Sequence, residues 1–244
     1  ALMNNFAGDG NGYVGNPDLR PEVAHTASIT GDWNDAEKAR WNLKATAYYT
    51  YVENYIDARR CDFGQCSAEN LTKTSGFVHL QYVNQQARIY GADLSGGVLL
   101  GHREDLGSFS ATGLFNYVRG ENTTTGDNLY NMMPLNARLG LVNRVAGWTN
   151  TAEVLLVKGK KDVSEVRNEI QTAGYGLLNL RSSYQWKMAR LDAGIDNVLD
   201  KNYVLPLGGA YVGQGASMTT GGIPWGYVVP GRGRSFNVAL NLNF

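Results

Sequence analysis

The feature that most constrains the fold is an alternation of apolar and small or polar residues with a period of two. It is clearest at the end of the chain, where the even-numbered residues are Phe236, Val238, Leu240, Leu242 and Phe244. The odd-numbered residues are Ser235, Asn237, Ala239, Asn241 and Asn243. Because successive side chains of a β-strand point to opposite faces, this pattern predicts a strand with one apolar and one polar face.

The same pattern recurs along the chain and predicts nine strands. We place them at 22–34, 40–58, 77–100, 107–120, 134–146, 149–162, 175–187, 189–204 and 232–244. Short connections at 35–39, 101–106, 147–148 and 187–189 alternate with long ones at 59–76, 121–133, 163–174 and 205–231. Short turns at one end and long loops at the other are typical of outer-membrane β-barrels.

Aromatic residues gather near both ends of the predicted strands. Three tryptophans lie beside short turns and five tyrosines lie toward long loops, namely Trp41, Trp148, Trp186, Tyr49, Tyr51, Tyr82, Tyr117 and Tyr203. Two aromatic girdles at the membrane interfaces would give this distribution. A soluble β-sandwich also has alternating strands, but its strands are usually about five or six residues long.

Composition agrees with an all-β chain and excludes other classes. Aromatics make up 11% of the sequence, with 14 Tyr and 30 Gly, which favours strands and turns. No run approaches the roughly 20 apolar residues of a membrane-spanning helix, whereas a barrel strand needs only about 10. We therefore expect an antiparallel transmembrane β-barrel. Residues 1–12 show no export signal. We therefore expect either a mature chain or a chain whose front is missing.

Charge and histidine placement give no indication of nucleic-acid binding or catalysis. The 22 basic and 22 acidic residues balance, so no nucleic-acid partner is expected. His25, His79 and His102 lie on separate predicted segments, and no nucleophile elbow, paired-carboxylate motif or phosphate loop accompanies them. We expect neither an enzyme nor a cofactor.

Sulfur-containing residues occur in two notable pairs. Cys61 and Cys66 lie five positions apart, and we favour a loop-closing disulfide in an oxidising compartment over two free thiols. A structural zinc site would need four ligands, so no metal is expected at this pair. Met132 and Met133 suggest a soft metal, but adjacent strand residues point in opposite directions and would not share one ion.

Two motifs and the C-terminal residue resemble those of TonB-dependent outer-membrane receptors. Residues 15–22 are similar to the family's N-P-x-L-x-P-E signature, and residues 194–203 to its penultimate-strand G-x-x-N-L-F-D-K-x-Y. The matching positions are Asn16, Pro17, Leu19, Pro21, Glu22, Asn197, Asp200, Tyr203 and the terminal Phe244. We assign them to barrel architecture, since Pro17 and Pro21 suit an extended lead-in and Asn197 and Asp200 suit a turn.

The resemblance implies a barrel of about 22 strands, filled by an N-terminal plug whose TonB box receives energy from the TonB complex. Neither the plug nor the TonB box is in this sequence. Residues 1–244 would form the C-terminal part of the barrel, with 1–21 as an extracellular loop and lead-in and 22–244 as strands and loops. The remaining strands of the receptor, outer-membrane lipid and the barrel-assembly machinery, which would read Phe244, are the implied structural partners.

Ligand binding is expected in the long loop 205–231. Its candidate residues are Tyr211, Trp225 and Tyr227, with Arg232 and Arg234 at its exit, which suit a bulky anionic chelate. The aromatics would serve equally as girdle residues packed on lipid. We expect an outer-membrane receptor for TonB-energised uptake of a scarce nutrient, a ferric siderophore above all. A passive porin-like channel and a soluble β-sandwich binding domain are the alternatives.

Overall fold

A computed structural model describes residues 2–4, 12–36, 40–61, 66, 79–167, 169–211 and 227–242. This part of the chain is all β, and it contains no helix that is long and apolar enough to cross a membrane. The strands are β1 (Leu2–Asn4), β2 (Gly12–Val14), β3 (Val23–Asn34), β4 (Trp41–Arg60), β5 (His79–Arg103), β6 (Gly107–Asn122), β7 (Asn136–Val145), β8 (Trp148–Val157), β9 (Tyr175–Gln185), β10 (Ala189–Asp196), β11 (Ala210–Tyr211), β12 (Tyr227–Val228) and β13 (Ser235–Leu242).

Nine of these strands, β3 to β10 and β13, correspond to the nine predicted ones and form a single antiparallel meander. Each strand pairs with its neighbours in sequence, so the all-β antiparallel prediction is confirmed. The alternation of short turns and long loops is also present. Among the described residues, β3 pairs with β4 and β13 with β10, and no pairing joins β3 to β13. The described sheet is therefore a partial wall.

The registers divide the side chains into two faces. The apolar face consists of odd-numbered residues of β3, β4, β6, β7 and β10 and even-numbered residues of β5, β8, β9 and β13. Ile29, Phe236 and Val238 on this face are 73–75% exposed. The polar face carries cross-strand hydrogen bonds such as Asn116 to Asp93 at 2.7 Å. An exposed apolar face and a hydrogen-bonded polar face are expected of strands between lipid and a lumen.

Aromatic side chains mark both ends of the apolar face. At the short-turn end, Tyr184 packs between Trp148 and Trp186, with ring centroids 4.8 and 4.7 Å away. Toward the long loops, Tyr49 and Tyr117 are exposed. Tyr82 and Tyr203 do not belong to this girdle, because they pack within the long-loop region described below.

Strands β4 and β5 extend far beyond the band between the aromatic residues. They contain 20 and 25 residues, about twice what a membrane crossing needs. A β-bulge between Val52 and Tyr55 interrupts their register, and Asn54 adopts a φ of 55° there. Beyond the bulge the two strands continue as a hairpin. Just after the end of β4, the sulfurs of Cys61 and Cys66 are bonded at 2.07 Å.

Candidate functional site

The lead-in segment 15–22 lies across the β4–β5 hairpin at the level of the bulge. It begins after β2, which pairs in parallel with β5, and ends at β3, which pairs with β4. The Asn16 side-chain amide donates to the Tyr82 carbonyl at 2.9 Å, and the Asn84 side chain accepts from the Arg20 amide at 2.7 Å. Motif residues at this position thus hold the lead-in against β5.

Glu22 completes this crossing at β4. Its carboxylate accepts a hydrogen bond from the Ile56 amide at 2.6 Å, just past the bulge. A bulge disrupts the strand ladder locally and leaves backbone groups without ladder partners. Glu22 therefore supplies an acceptor where the neighbouring strand does not, which agrees with the architectural role assigned to the motif.

The long connection 123–135 folds inward over the polar face. Leu129, only 1% exposed, packs against Val52 and Ala87 on that face. Asn122, also 1% exposed, donates to an Asp57 carboxylate oxygen at 3.0 Å and accepts from the Thr124 amide at 3.1 Å. This connection is consequently an ordered layer on the upper part of the sheet.

The next long connection, 158–174, packs on the first. Asp127 accepts hydrogen bonds from the Ser164 hydroxyl at 3.1 Å and from the Val166 amide at 3.0 Å. Lys160, whose side chain is 2% exposed, forms an ion pair with Glu169, which is 7% exposed. Glu169 also accepts from the Ser164 amide at 2.8 Å. Such fully partnered buried charges fix one arrangement of the two connections.

Arg167 joins this layer to the hairpin. Its guanidinium is 3.1 Å from the Asp57 carboxylate, and both side chains are almost buried, at 11% and 8% exposure. The same guanidinium lies 5.6 Å from the Tyr82 ring centre and 5.1 Å from that of Tyr130. In the hairpin, burial and then the Asp57 charge raise the pKa of the Tyr55 phenol. We call residues 55–60, 80–87, 122–135 and 158–174 together the loop platform.

The C-terminal motif organises the base of the 197–234 connection. Asn197 is 2% exposed and adopts a φ of 51°. Its side chain accepts from the Lys201 amide at 2.8 Å and donates to the carbonyls of Lys201 and Arg232 at 2.9 and 3.3 Å. The Asp200 carboxylate accepts from the Arg234 amide at 2.9 Å. These bonds tie the turn after β10 to the segment entering β13.

Tyr203 covers the same base from the other side. Its ring packs on Tyr175 with centroids 4.6 Å apart, and its carbonyl accepts from the Gly231 amide at 2.8 Å. A Cβ at Gly231 would overlap the Tyr203 ring, so a glycine is needed at this close approach. The beginning and end of the long connection are therefore fixed to each other.

The predicted ligand residues are only partly described. The backbones of Tyr211 and Tyr227 are paired in the β11–β12 ribbon, while Trp225 and Phe244 lie outside the described residues. Arg232 and Arg234 are exposed at the base of the connection. Among the described residues, no carboxylate forms an ion pair with either arginine side chain.

The polar face carries a row of charges that crosses four strands. Arg138 lies 3.6 Å from Glu153, Glu153 lies 3.3 Å from Arg181, and Arg181 lies 2.9 Å from Asp196. The Asn237 side chain extends the row by donating to Asp196 at 3.2 Å. The sequence indicated only that charges keep to one face. Their pairing depends on the registers of β7 to β10 and β13, which the sequence alone does not fix.

The described residues offer no metal-binding cluster of three or more His, Cys, Asp or Glu side chains. Met132 and Met133 lie in the connection after β6, as its predicted bounds 121–133 implied, so the strand geometry that was expected to separate their side chains does not apply. Met132 packs against the Leu129 cluster on the polar face, and both methionines line a cleft at the end of β6.

Comparison with known proteins agrees with this architecture. Residues 2–198 match the family described as TonB dependent receptor-like, beta-barrel. The chain is 26% identical over 215 residues to the heme/hemopexin utilization protein C of Haemophilus influenzae (strain 86-028NP), covering 79% of this chain and 27% of that protein. It is 27% identical over 210 residues to the rhizobactin receptor of Rhizobium meliloti (strain 1021), covering 84% and 24%.

Solved structures show the same fold. A copper transporter structure matches with a TM-score of 0.75 at 22% identity, covering 93% of this chain and 33% of that one. The ferric enterobactin receptor of Pseudomonas aeruginosa matches with a TM-score of 0.62 at 18% identity, covering 100% and 34%. The chain thus spans about a quarter to a third of the length of these relatives. It belongs to the TonB-dependent receptor-like β-barrel family, whose members are outer-membrane receptors and transporters and not enzymes.

Proposed function

We propose that this chain forms part of the barrel wall and the extracellular loops of a receptor that takes up a scarce nutrient with energy from TonB. The nutrient would be a ferric siderophore or a similar metal chelate. The loop platform is the observation that carries this proposal. Two almost buried ion pairs hold this loop layer in one arrangement, which would lower the entropy cost of binding. A heme/hemopexin utilization protein and a rhizobactin receptor among its relatives favour this substrate class.

The ligand would contact the loops beside the platform. Arg232 and Arg234 present two cations at the base of the 197–234 connection, and arginine suits carboxylate and other anionic oxygen ligands. Tyr211, Trp225 and Tyr227 belong to the same connection and would add flat aromatic surface. In this arrangement the arginines attract the chelate and the aromatics enclose it.

The polar face would contact the plug, which lies outside this sequence. Arg138 and Arg181 remain 54% and 47% exposed, so they keep donors for a further partner even though each is paired. The TonB complex would act on that plug. The free edges of β3 and β13 would pair with the remaining strands of the receptor, because unpaired strand edges are costly in lipid.

Cell-based uptake by the full-length receptor tests this proposal. Cells carrying the receptor would be given radiolabelled ferric siderophores and heme, with and without TonB. We expect uptake of at least one chelate that depends on TonB. We also expect about tenfold weaker surface binding when Arg232→Ala and Arg234→Ala are combined, since two exposed ion pairs of about 0.7 kcal/mol each contribute about 1.4 kcal/mol. Lys187→Ala in a short turn is the matched control.

Two results would contradict the proposal. Equal uptake in cells lacking TonB would indicate a passive channel. Unchanged surface binding of the transported chelate by the double arginine variant would remove these residues from the ligand site.

A further inference from the structure

A cleft lies where β6 continues past the beginning of β7, between the end of β6 and residues 158–162, and Met132 of the loop platform also lines it. It has a volume of about 320 Å³, and Arg119, Lys158 and Lys161 lie along it above an apolar floor that includes Met133 and Leu135. We call it the outer cleft. The sequence patterns did not select its basic residues Arg119, Lys158 and Lys161.

The strand registers place Leu135 and Lys158 of the outer cleft on the lipid-facing side. Phe115, Ala137 and Leu156 form one row of the apolar face. The Lys158 amide donates to the Leu135 carbonyl at 2.9 Å, which continues the β7–β8 ladder by one step. Leu135 and Lys158 therefore lie two positions above Ala137 and Leu156 and share their face.

The depth of Lys158 corresponds to the outer membrane interface. Trp148, at the short-turn end of β8, precedes Lys158 by about ten residues, or roughly 33 Å along the strand. With a strand tilt of about 40°, this distance is about 25 Å along the membrane normal, which matches the height of the apolar band in such barrels. Since Trp148 lies at one interface, Lys158 lies at the opposite one, beside the lipid headgroups.

The charges around the cleft are predominantly positive. Arg119 is 2.9 Å from Glu121 and 3.5 Å from Asp162, and Arg88 also pairs with Glu121. Lys160 lines the cleft as well, but its ammonium is paired with buried Glu169. Lys158 and Lys161 are exposed, and no carboxylate among the described residues forms an ion pair with either of them.

We propose that the outer cleft binds the phosphate group of a lipid in the outer leaflet. Lys158 and Lys161 would contact the phosphate, with Arg119 behind them, because ammonium groups at a membrane surface attract anionic headgroups. The apolar floor of Met133, Pro134 and Leu135 leads down to the lipid-facing side chains of Phe115 and Leu156, along which an acyl chain would lie. A soluble nutrient would gain nothing from this continuity with the lipid-facing surface.

Lipid titration of the detergent-solubilised full-length receptor tests the proposal. The probe is lipid A, measured with and without its phosphates by native mass spectrometry. Each lysine near a membrane surface contributes about fivefold in affinity, so the combined Lys158→Ala and Lys161→Ala variant should bind lipid A about thirtyfold more weakly. Lys187→Ala, at the opposite membrane face, should bind as the unaltered receptor does. Thermal unfolding of both variants checks that they remain folded.

Three outcomes would overturn the proposal. Equal lipid A binding by the folded double variant would exclude the two lysines, and equal binding of the dephosphorylated lipid would exclude phosphate recognition. Displacement of lipid A by millimolar inorganic phosphate would indicate a site for soluble anions. Nutrient uptake is measured separately in cells, so failure of the lipid-binding proposal can be told apart from failure of the uptake proposal.

Discussion

Replacing Arg167 with methionine should release the loop platform from the β4–β5 hairpin. Methionine keeps much of the length and apolar contact of arginine but removes the charge that faces Asp57, 3.1 Å away. Asp57 would then be an almost buried carboxylate without its cation, at 8% exposure. The perturbation is therefore electrostatic rather than a loss of packing volume.

The size of the effect follows from the remaining partners of Asp57. Removing one partner of a buried ion pair costs about 3–5 kcal/mol. Asp57 keeps hydrogen bonds from the Ala58 amide at 2.8 Å and the Asn122 side chain at 3.0 Å, which favours the lower end of that range. We expect the platform to open more easily by about 3 kcal/mol, which corresponds to roughly a 150-fold change in the opening equilibrium.

Amide hydrogen exchange of the full-length receptor measures this opening directly. The amides of Glu165 and Val166, which donate to Asp127 at 3.0 Å, should exchange roughly 150-fold faster in the Arg167→Met variant. Amides in β8 and β9 should keep their rates, because their ladder does not involve Arg167. Combining Arg167→Met with Asp57→Asn should restore part of the protection, since the second change removes the buried charge.

Two results would refute this reasoning. Unchanged exchange at Glu165 and Val166 in the single variant would mean that the ion pair does not hold the platform. If the free-energy change of the double variant equals the sum of the changes in the two single variants, the two side chains act independently.

Four further predictions concern the motifs, the cysteines and the C-terminus. Glu22→Ala should weaken docking of segment 15–22 by about 1 kcal/mol and speed its proteolysis, while Glu22→Gln, which keeps an acceptor, should change it less. Asn197→Ala should lower the unfolding temperature, because it removes buried hydrogen bonds that contribute about 2 kcal/mol; an unchanged temperature would contradict this. The peptide joining Cys61 and Cys66 should gain two hydrogens in mass on reduction. Deleting Phe244 should impair outer-membrane insertion, and normal insertion would exclude its role in assembly.

The period-two pattern predicted nine strands of an antiparallel sheet in the order observed. It missed the short strands β1, β2, β11 and β12, which lie within predicted loops. Its other errors lie at strand ends and have local causes. The strand predicted at 189–204 ends at Asp196, because Asn197 takes a φ of 51° and turns the chain. The strand predicted at 149–162 ends at Val157, because the chain then enters the loop platform. Alternating polarity continued past both points, and the pattern alone carries no signal for where pairing stops.

The loop platform was not predictable from the sequence. Arg167 and Asp57 are separated by 110 residues, and their pairing requires the path of two long connections. The inward fold of the first connection depends on Leu129 packing over Gly120, where a side chain would collide with it. Neither residue belongs to a recognisable motif. The two family motifs, residues 15–22 and 194–203, were recognisable in the sequence. They lie where the chain crosses or leaves the sheet, and their side chains mostly contact backbone groups close by in space.

The charged side chains of this chain differ in whether they form ion pairs. The formal net charge is zero, but the charges are not equivalent. On the polar face Arg138 and Arg181 are matched by carboxylates across neighbouring strands. Other cations form no ion pair with a carboxylate of the described residues, and the proposals above use two pairs of them. Arg232 and Arg234 lie at the base of the longest connection, and Lys158 and Lys161 lie in the outer cleft.

These two unmatched pairs face different surroundings, so they should respond differently to salt. In the proposed receptor, Arg232 and Arg234 would border the extracellular solution, where charges are screened beyond about 8 Å at physiological ionic strength. Lys158 and Lys161 border the headgroup region, where part of the surrounding volume is apolar and screening is weaker. Raising the salt concentration should therefore weaken capture of an anionic chelate more than retention of a phosphorylated lipid. The opposite order would mean that the outer cleft is open to solvent and that its lysines are ordinary surface charges.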